Sequence, residues 1–172
     1  MMQYRVAQPE DEAFVRMLFM EQAAGLLTAA GLAEEQSTAL AEMQYRGRQA
    51  SWAARYPRAE NLIVCDGVGH PVGRLLLDRF PQRWRIVDLA IRSDLRQQGL
   101  GGQVLTYCQQ QAEEARASLA LQVAPYNPAR RLYERLHFCA VHEDAVEVEM
   151  IWSATGEESA LVAAKRRERM TP

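Results

Sequence analysis

The sequence has no long apolar run and no strong excess of charge of either sign. Its hydrophobic stretches fall well short of the roughly 20 residues that a membrane-spanning helix needs. The formal net charge is -2, so no basic field draws the protein to nucleic acid. Residues 1–5 lack the apolar core of a signal peptide. We therefore expect a cytoplasmic protein that binds neither membranes nor nucleic acid.

The chain is also poor in cysteine and has no Cys-x-x-Cys arrangement. Cys65, Cys108 and Cys139 lie far apart, each within an apolar strand or helix pattern. In such surroundings cysteine behaves as a small hydrophobic residue. The sequence therefore predicts three buried cysteines, with no disulfide and no metal site.

The order of apolar patterns along the chain predicts an α/β fold of the α+β, mixed-sheet kind. With 172 residues, 48% of them hydrophobic, the chain can form one domain with a sizeable core. The predicted strands are 4–6, 61–65, 72–78, 84–91, 119–123, 138–142 and 145–152, and the predicted helices begin at Pro9 or span 34–56, 101–117 and 129–136. We expect a mostly antiparallel sheet flanked by helices in a single domain, 1–152. A capping-box pattern from Thr155 to Glu158 predicts a helix in the C-terminal tail, 153–172.

The most informative segment is a glycine-rich turn between an apolar strand and a helix. Gly99, Gly101 and Gly102 remove side chains where the first turn of a helix has unpaired N–H groups, so an anion can approach them. A plain turn that uses glycine for close packing is the alternative. A dinucleotide-binding fingerprint would need glycine at Val104, and a Walker loop would need Gly-Lys-Ser/Thr at 104–106. Both of these nucleotide loops are excluded, and a different phosphate-bearing ligand is predicted.

Two motifs resemble a known family. The pattern Arg96-x-x-Gly99-x-Gly101 resembles the pyrophosphate loop of the GNAT superfamily of acyl-CoA-dependent N-acetyltransferases. A second block, about thirty residues later, resembles the Asn…Ala…Leu-Tyr-Glu-x-Leu-Gly-Phe signature of that superfamily. The matching positions are Asn127, Ala129, Leu132, Tyr133, Glu134, Leu136 and Phe138. His137 replaces the usual glycine, at a position where a positive φ is often wanted and histidine is tolerated.

The resemblance implies that acetyl-CoA is the acyl donor and enters a V-shaped gap between the fourth and fifth strands. Backbone groups of the fourth strand would bind pantetheine, and the loop 97–103 would bind the pyrophosphate. The expected cofactor-binding residues are Leu89, Ala90, Ile91, Arg96, Gln97, Gln98, Gly99, Leu100, Gly101, Gly102, Gln103, Asn127, Arg130 and Tyr133. Solvated side chains are the alternative for Arg96 and Gln98. Because Asn127 lies one residue closer to Tyr133 than in many members, a helix-initiating Asn-Pro is its alternative.

Direct acyl transfer to an amine requires a base for the amine and a proton for the leaving thiolate. By resemblance Tyr133 donates to the coenzyme A sulfur, although a helix-face aromatic is the reading without the motif. Asp88 on the fourth strand is the candidate base, with an ion pair or exposure at a sheet edge as its alternatives. Glu21, Glu147 and Glu149 are weaker candidates.

The sequence carries no marker for a particular acceptor. A stripe on the second helix, Tyr45, Gln49, Trp52 and Tyr56, is more typical of packing but is also a candidate wall of an acceptor pocket. The expected function is N-acetylation of a primary amine on a small molecule or a peptide. The alternative function is a non-catalytic acyl-CoA sensor or interaction module on the same fold. A protein that binds another phosphate ligand is a third hypothesis. The sequence leaves open whether the protein forms a homodimer.

Overall fold

The computed structural model describes residues 1–155, and residues 156–172 lie outside the described part of the chain. The elements are β1 (Gln3–Val6), α1 (Glu12–Ala29), α2 (Glu34–Arg55), β2 (Glu60–Cys65), β3 (Pro71–Asp78), β4 (Arg83–Ile91), α3 (Leu100–Glu114), β5 (Ser118–Val123), α4 (Arg130–Arg135), β6 (Cys139–Glu143) and β7 (Val148–Trp152). The helix predicted within 153–172 lies, apart from 153–155, outside the described residues.

The seven strands form one sheet in the order β1-β2-β3-β4-β5-β7-β6. Strands β1 and β2, β2 and β3, β5 and β7, and β6 and β7 pair antiparallel. In contrast, β4 and β5 pair in parallel, from Arg83↔Ser118 to Ile86↔Leu121. A parallel pair requires a crossover connection, which α3 provides. The predicted mixed, mostly antiparallel sheet with flanking helices is confirmed.

The chain forms two compact units. Of the described residues, the first unit contains 1–77 and 88–100, and the second contains 78–87 and 101–155. The chain passes from one unit to the other after Leu77 in β3, after Val87 in β4 and after Leu100, the first residue of α3. A single domain over 1–152 stays a prediction.

In the first unit, α1 and α2 pack on each other. Val15 of α1, Tyr45 of α2, and Ile63 and Cys65 of β2 form a buried hydrophobic cluster. The side chain of Phe19 packs against this cluster with its ring tilted toward Tyr45, at a centroid distance of 5.5 Å. The cluster thus joins both helices to the sheet of this unit.

The start of α1 is fixed by a buried carboxylate. The Asp11 side chain accepts hydrogen bonds from the Gln8 backbone N–H at 2.8 Å and from the Arg5 guanidinium at 2.6 and 2.7 Å. The hydrogen bond from Arg5 lowers the pKa of Asp11 to about 2. Asp11 therefore stays ionised in the folded protein at ordinary pH.

In the second unit, the core is formed by α3, β5 and β7. One face of α3 is buried because its small and apolar residues recur at helical spacing. The buried residues of these three elements are Val104, Leu105, Cys108, Ala112, Ser118, Leu119, Ala120, Leu121, Val123, Val148, Met150 and Ile151. Burial raises the pKa of the Cys108 thiol to about 12.

The prediction that all three cysteines are buried is wrong at one position. Cys65 and Cys108 are buried, whereas Cys139 is exposed, and all three are free thiols. Cys139 lies on β6, which is the last strand in the sheet order. A strand at the edge of a sheet leaves part of its surface to solvent, which periodicity alone does not reveal.

Candidate functional site

The glycine-rich turn combines an unusual backbone with open space. Gln97 and Gly99 adopt positive φ values of 63° and 79°, and α3 then begins at Leu100. A Cβ added to Gly99 would meet no heavy atom within 4 Å. Because the first N–H groups of a helix lack partners within the helix, the start of α3 can accept an anion.

The side chains of this loop brace its own backbone. The Arg96 guanidinium donates to the Ile91 carbonyl at 3.2 Å, and the Gln98 amide donates to the Asp94 carbonyl at 3.4 Å. Both side chains, predicted to be able to contact phosphate, therefore help to hold the turn in shape. Gln97 and Gln103 are exposed.

Gly101 and Gly102 lie in the first turn of α3, next to Leu132 of α4. A Cβ at either glycine would meet a Leu132 methyl group at 3.6 Å, an ordinary contact distance. Close packing on α4 therefore does not require glycine at these two positions. This weakens the reading of the motif as a plain packing turn.

A glycine that the sequence analysis missed lies beside the end of β4. A Cβ added to Gly73 on β3 would meet the Ala90 carbonyl oxygen at 2.5 Å and a methyl group of Ile91 at 2.7 Å. The Arg92 N–H donates to the Val72 carbonyl at 3.0 Å. Only glycine allows this approach, and it fixes the half-buried segment 89–91 from the β3 side. Its strand position gave no signal beyond the presence of a glycine within an apolar pattern.

Asp88 faces a buried arginine. Arg74 on β3 has a side chain that is 5% exposed, and its guanidinium lies 3.4 Å from a carboxylate oxygen of Asp88, whose side chain is 24% exposed. Burial raises the pKa of Asp88, and Arg74 opposes that rise. Asp88 is thus in an ion pair, as its alternative reading held, and also has the raised pKa that suits a base.

Three further contacts surround Arg74, all in the first unit. Its Nε donates to the Asn61 side chain at 2.7 Å, and an Nη donates to the Gln49 side chain at 3.4 Å. The guanidinium also lies over the Trp52 ring, 5.3 Å from its centroid. Burial lowers the pKa of Arg74, and Asp88 acts against that shift. Sequence reasoning missed Arg74 because a charged residue within an apolar strand looks the same whether it faces solvent or a polar cluster.

The stripe on α2 is partly packing and partly polar. Tyr45 is buried, and its hydroxyl donates to the Glu12 carboxylate at 2.5 Å. Gln49 and Trp52 contact Arg74, while Tyr56 is half-buried at the end of the helix. The interpretation as packing holds for Tyr45, and the next two members face the polar cluster around Arg74.

Asn127 and Arg130 have structural contacts in the second unit. The Asn127 side chain accepts a hydrogen bond from the Ala129 N–H at 2.9 Å, which is the helix-initiating arrangement. The Arg130 guanidinium pairs with Glu134 at 3.0 Å and with Glu143 at 2.8 Å. These contacts give both residues a role within the fold, and coenzyme binding by either stays a prediction.

Tyr133 lies on α4 and is half-buried. Its ring packs edge-on against the buried Phe138, with centroids 6.0 Å apart. Between them, His137 adopts φ 65°, as the sequence predicts for a position that usually holds glycine. The Phe138 N–H then donates to the Tyr133 carbonyl at 3.0 Å. The turn after α4 thus holds the tyrosine ring in place.

The weaker base candidates all have partners. Glu149 accepts a hydrogen bond from Arg85 at 2.8 Å, and Glu147 accepts one from Gln122 at 2.8 Å. Glu21 accepts a hydrogen bond from the Ser93 N–H at 3.3 Å. Each of these carboxylates thus has a contact within the fold that accounts for it without a role in proton transfer.

The second unit has a cavity of about 750 Å³ that is lined by other residues. Its lining includes Arg83 at the start of β4, Arg116 and Ser153, but none of the predicted site residues. We therefore do not assign it to the acyl donor. Within residues 1–155, no group of three or more His, Cys, Asp or Glu side chains could hold a metal ion. No helix of the same residues has the length and apolar character needed to cross a membrane.

Comparison with known proteins identifies relatives of this architecture. Residues 26–138 match the model of the acetyltransferase (GNAT) family. The structure of PaiA N-acetyltransferase from Thermoplasma acidophilum in complex with coenzyme A is similar, with a TM-score of 0.66 at 12% identity over 89% of this chain and 99% of that one. An acetyltransferase from Thermus thermophilus gives a TM-score of 0.61 at 18% identity over 88% of this chain and 96% of that one.

A third similar structure is a GNAT family acetyltransferase from Elizabethkingia anophelis with acetyl-CoA bound. Its TM-score is 0.51 at 15% identity, over 60% of this chain and 82% of that one. At these identities the solved structures establish the fold alone. The comparison with curated proteins found no match.

Proposed function

Because the chain belongs to the acetyltransferase (GNAT) family, we propose that it transfers an acetyl group from acetyl-CoA directly to a primary amine. The observation that carries the proposal is the start of α3. Its glycines open the first turn of the helix, yet packing on Leu132 does not require them. An anionic ligand that binds the N–H groups of this turn would explain why glycine stands at these positions.

The donor would be held mainly by backbone groups. In the first unit, the segment 89–91 would bind pantetheine through its peptide groups, in the conformation that Gly73 allows. The N–H groups of the loop, 97–103, would bind the pyrophosphate. Arg96 and Gln98 would support this loop through the backbone contacts described above. Two of the similar structures contain coenzyme A or acetyl-CoA, which supports this donor.

Two side chains would handle the protons. Acetyl-CoA supplies an activated thioester when it is bound. Asp88 would take a proton from the acceptor amine as the new N–C bond forms, and its raised pKa suits that task. As the C–S bond breaks, the Tyr133 hydroxyl would give its proton to the thiolate. The charges balance, because one carboxylate gains a proton and one hydroxyl loses one.

The acceptor would be a small molecule or a peptide that presents a primary amine. The α2 residues Gln49 and Trp52 contact Arg74, which pairs with Asp88 in the first unit. They are therefore the first positions at which to seek acceptor specificity.

The test is an assay of coenzyme A thiol release with acetyl-CoA and a panel of amines. We expect release that depends on one class of amine and a matching acetylated product by mass spectrometry. Acetyl-CoA binding without release for any amine would favour the non-catalytic sensor. If the protein did not bind acetyl-CoA at all, both the acetyltransferase and the sensor hypotheses would be contradicted.

Gly101→Asp tests the donor site separately. A carboxylate at the start of α3 repels phosphate, and we expect the affinity for acetyl-CoA, measured by calorimetry, to fall about 100-fold or more. Gly101→Ala is the matched control, because its Cβ meets Leu132 at an ordinary distance. Unchanged affinity in Gly101→Asp would remove the loop from the donor site.

A further inference from the structure

The buried arginine on β3 needs an explanation beyond stability. Arg74 is among the few buried charged residues of the described chain, with a side chain that is 5% exposed. Enclosing a guanidinium carries a large desolvation cost, and an apolar side chain of similar size is often at least as stable. Stability alone therefore gives no reason to prefer arginine at this position.

The contacts around Arg74 fix its guanidinium in one orientation. The shortest is the hydrogen bond from Nε to Asn61 on β2, at 2.7 Å. The Trp52 ring covers the guanidinium at 5.3 Å, and Gln49 accepts from an Nη at 3.4 Å. The other Nη is directed to Asp88 on β4, also at 3.4 Å. Groups from α2 and β2 thus direct one Nη of the guanidinium towards the proposed base on β4.

We propose that Arg74 is a positioning residue that keeps the Asp88 carboxylate ionised and oriented for the acceptor amine. This inference rests on the proposed function, in which Asp88 takes the proton of the amine. Arg74 would act through Asp88 and would make no bond of its own to the amine or the acyl donor. Its contribution is to the protonation state and direction of another side chain.

The charges around Asp88 give the direction of the effect. The enclosing residues raise its pKa by desolvation, Arg74 on β3 lowers it most among the charges, and Arg48 on α2 lowers it further. Glu12 on α1 and Tyr45 on α2 both raise the pKa of Arg74. Among the described residues, removal of Arg74 leaves Arg48 to oppose the desolvation, so the carboxylate becomes protonated at higher pH.

The experiment is a pH profile of kcat/KM for the acceptor at saturating acetyl-CoA. In the wild type, activity is lost as the pH falls through the pKa of Asp88. In Arg74→Gln we expect the midpoint of this acid limb to rise by about one pH unit or more. Activity below the wild-type midpoint should then fall about tenfold, with a much smaller loss at high pH.

Three further variants make the result specific. Arg74→Met keeps an apolar stem over Trp52, so it should fold even if a buried glutamine does not, and it should show the same shift of the midpoint. Arg74→Lys keeps the charge and should restore most of the wild-type midpoint. Arg85→Gln removes a partly buried arginine that pairs with Glu149 in the second unit, so its midpoint should stay at the wild-type value.

The outcomes separate this inference from the proposed function. A wild type that acetylates no amine overturns the function. An active wild type whose acid limb is absent in Asp88→Asn, together with unshifted midpoints in Arg74→Gln and Arg74→Met, overturns only the role of Arg74. Shifted midpoints in both variants, restored by Arg74→Lys, support it.

Discussion

The glycine-rich loop and the cluster around Arg74 owe their shapes to different parts of the chain. In the loop, the shape comes from the backbone, with Gln97 and Gly99 at positive φ and open space above Gly99. In the cluster, the shape comes from side chains of α2, β2, β3 and β4 that meet around one guanidinium. A site formed by the backbone requires glycine at fixed spacing, so its motif can be recognised in the sequence. A site formed by side chains uses residues scattered along the chain, so it cannot be recognised before the fold is known.

Gly73→Ala is the strongest test of the part that the backbone plays, because it adds a side chain where only backbone fits. We expect the free energy of unfolding to fall by about 3 kcal/mol, because the Cβ would overlap the Ala90 carbonyl. The affinity for acetyl-CoA should fall at least about tenfold, since the segment 89–91 must shift. Urea denaturation and calorimetry measure the two effects.

Gly47→Ala is the matched control for Gly73→Ala. Gly47 lies within α2, and a Cβ there would meet nothing within 4 Å. Alanine should therefore raise the free energy of unfolding by up to about 1 kcal/mol. If Gly73→Ala behaved like Gly47→Ala, the close approach of β3 to the end of β4 would be contradicted.

Tyr133→Phe tests a side chain that the motif reveals. The phenyl ring keeps its packing on Phe138 but loses the proposed proton donor. We expect kcat to fall about 100-fold, with unchanged affinity for acetyl-CoA and an unchanged fold. The exposed Tyr126, changed to Phe, is the control and should keep full activity. Full turnover in Tyr133→Phe would refute its role as an acid.

Asp11→Asn tests a side-chain contact far from the proposed chemistry. The pKa of Asp11 is lowered to about 2 in the folded protein, so the pair with Arg5 stabilises the fold above the ordinary carboxyl pKa. That stabilisation is lost as the pH falls towards 2. We expect the wild type to lose about 1 kcal/mol more stability than Asp11→Asn between pH 5 and pH 2. If the free energy of unfolding changed equally with pH in the two proteins, the stabilising role of the Asp11–Arg5 pair would be contradicted.

The smallest expected effect returns to the backbone. His137 adopts φ 65°, a conformation that costs a non-glycine residue free energy. His137→Gly should therefore raise the melting temperature slightly, with a gain in stability of no more than about 1 kcal/mol. Acetyl-CoA affinity should not change. A loss of stability would mean that the imidazole makes a contact worth more than the strain.

Much of the fold could be predicted because apolar periodicity and turn residues report local structure. The strand, glycine turn and helix around Gly99 follow from spacing alone, and two motifs in order give the family. Periodicity did not predict the exposed Cys139, because the position of β6 at the sheet edge depends on strand order. It also did not predict the Arg74–Asp88 pair, because β3 and β4 are brought together only by sheet pairing.

The distribution of thiols affects how this protein can be studied in solution. Cys65 and Cys108 are enclosed, and the raised pKa of Cys108 keeps it protonated, whereas Cys139 is open to reagents. A dye attached to Cys139 would thus label one known strand without a designed cysteine. The same thiol would consume the reagent that detects free coenzyme A, so Cys139→Ser is the background in which to run that assay.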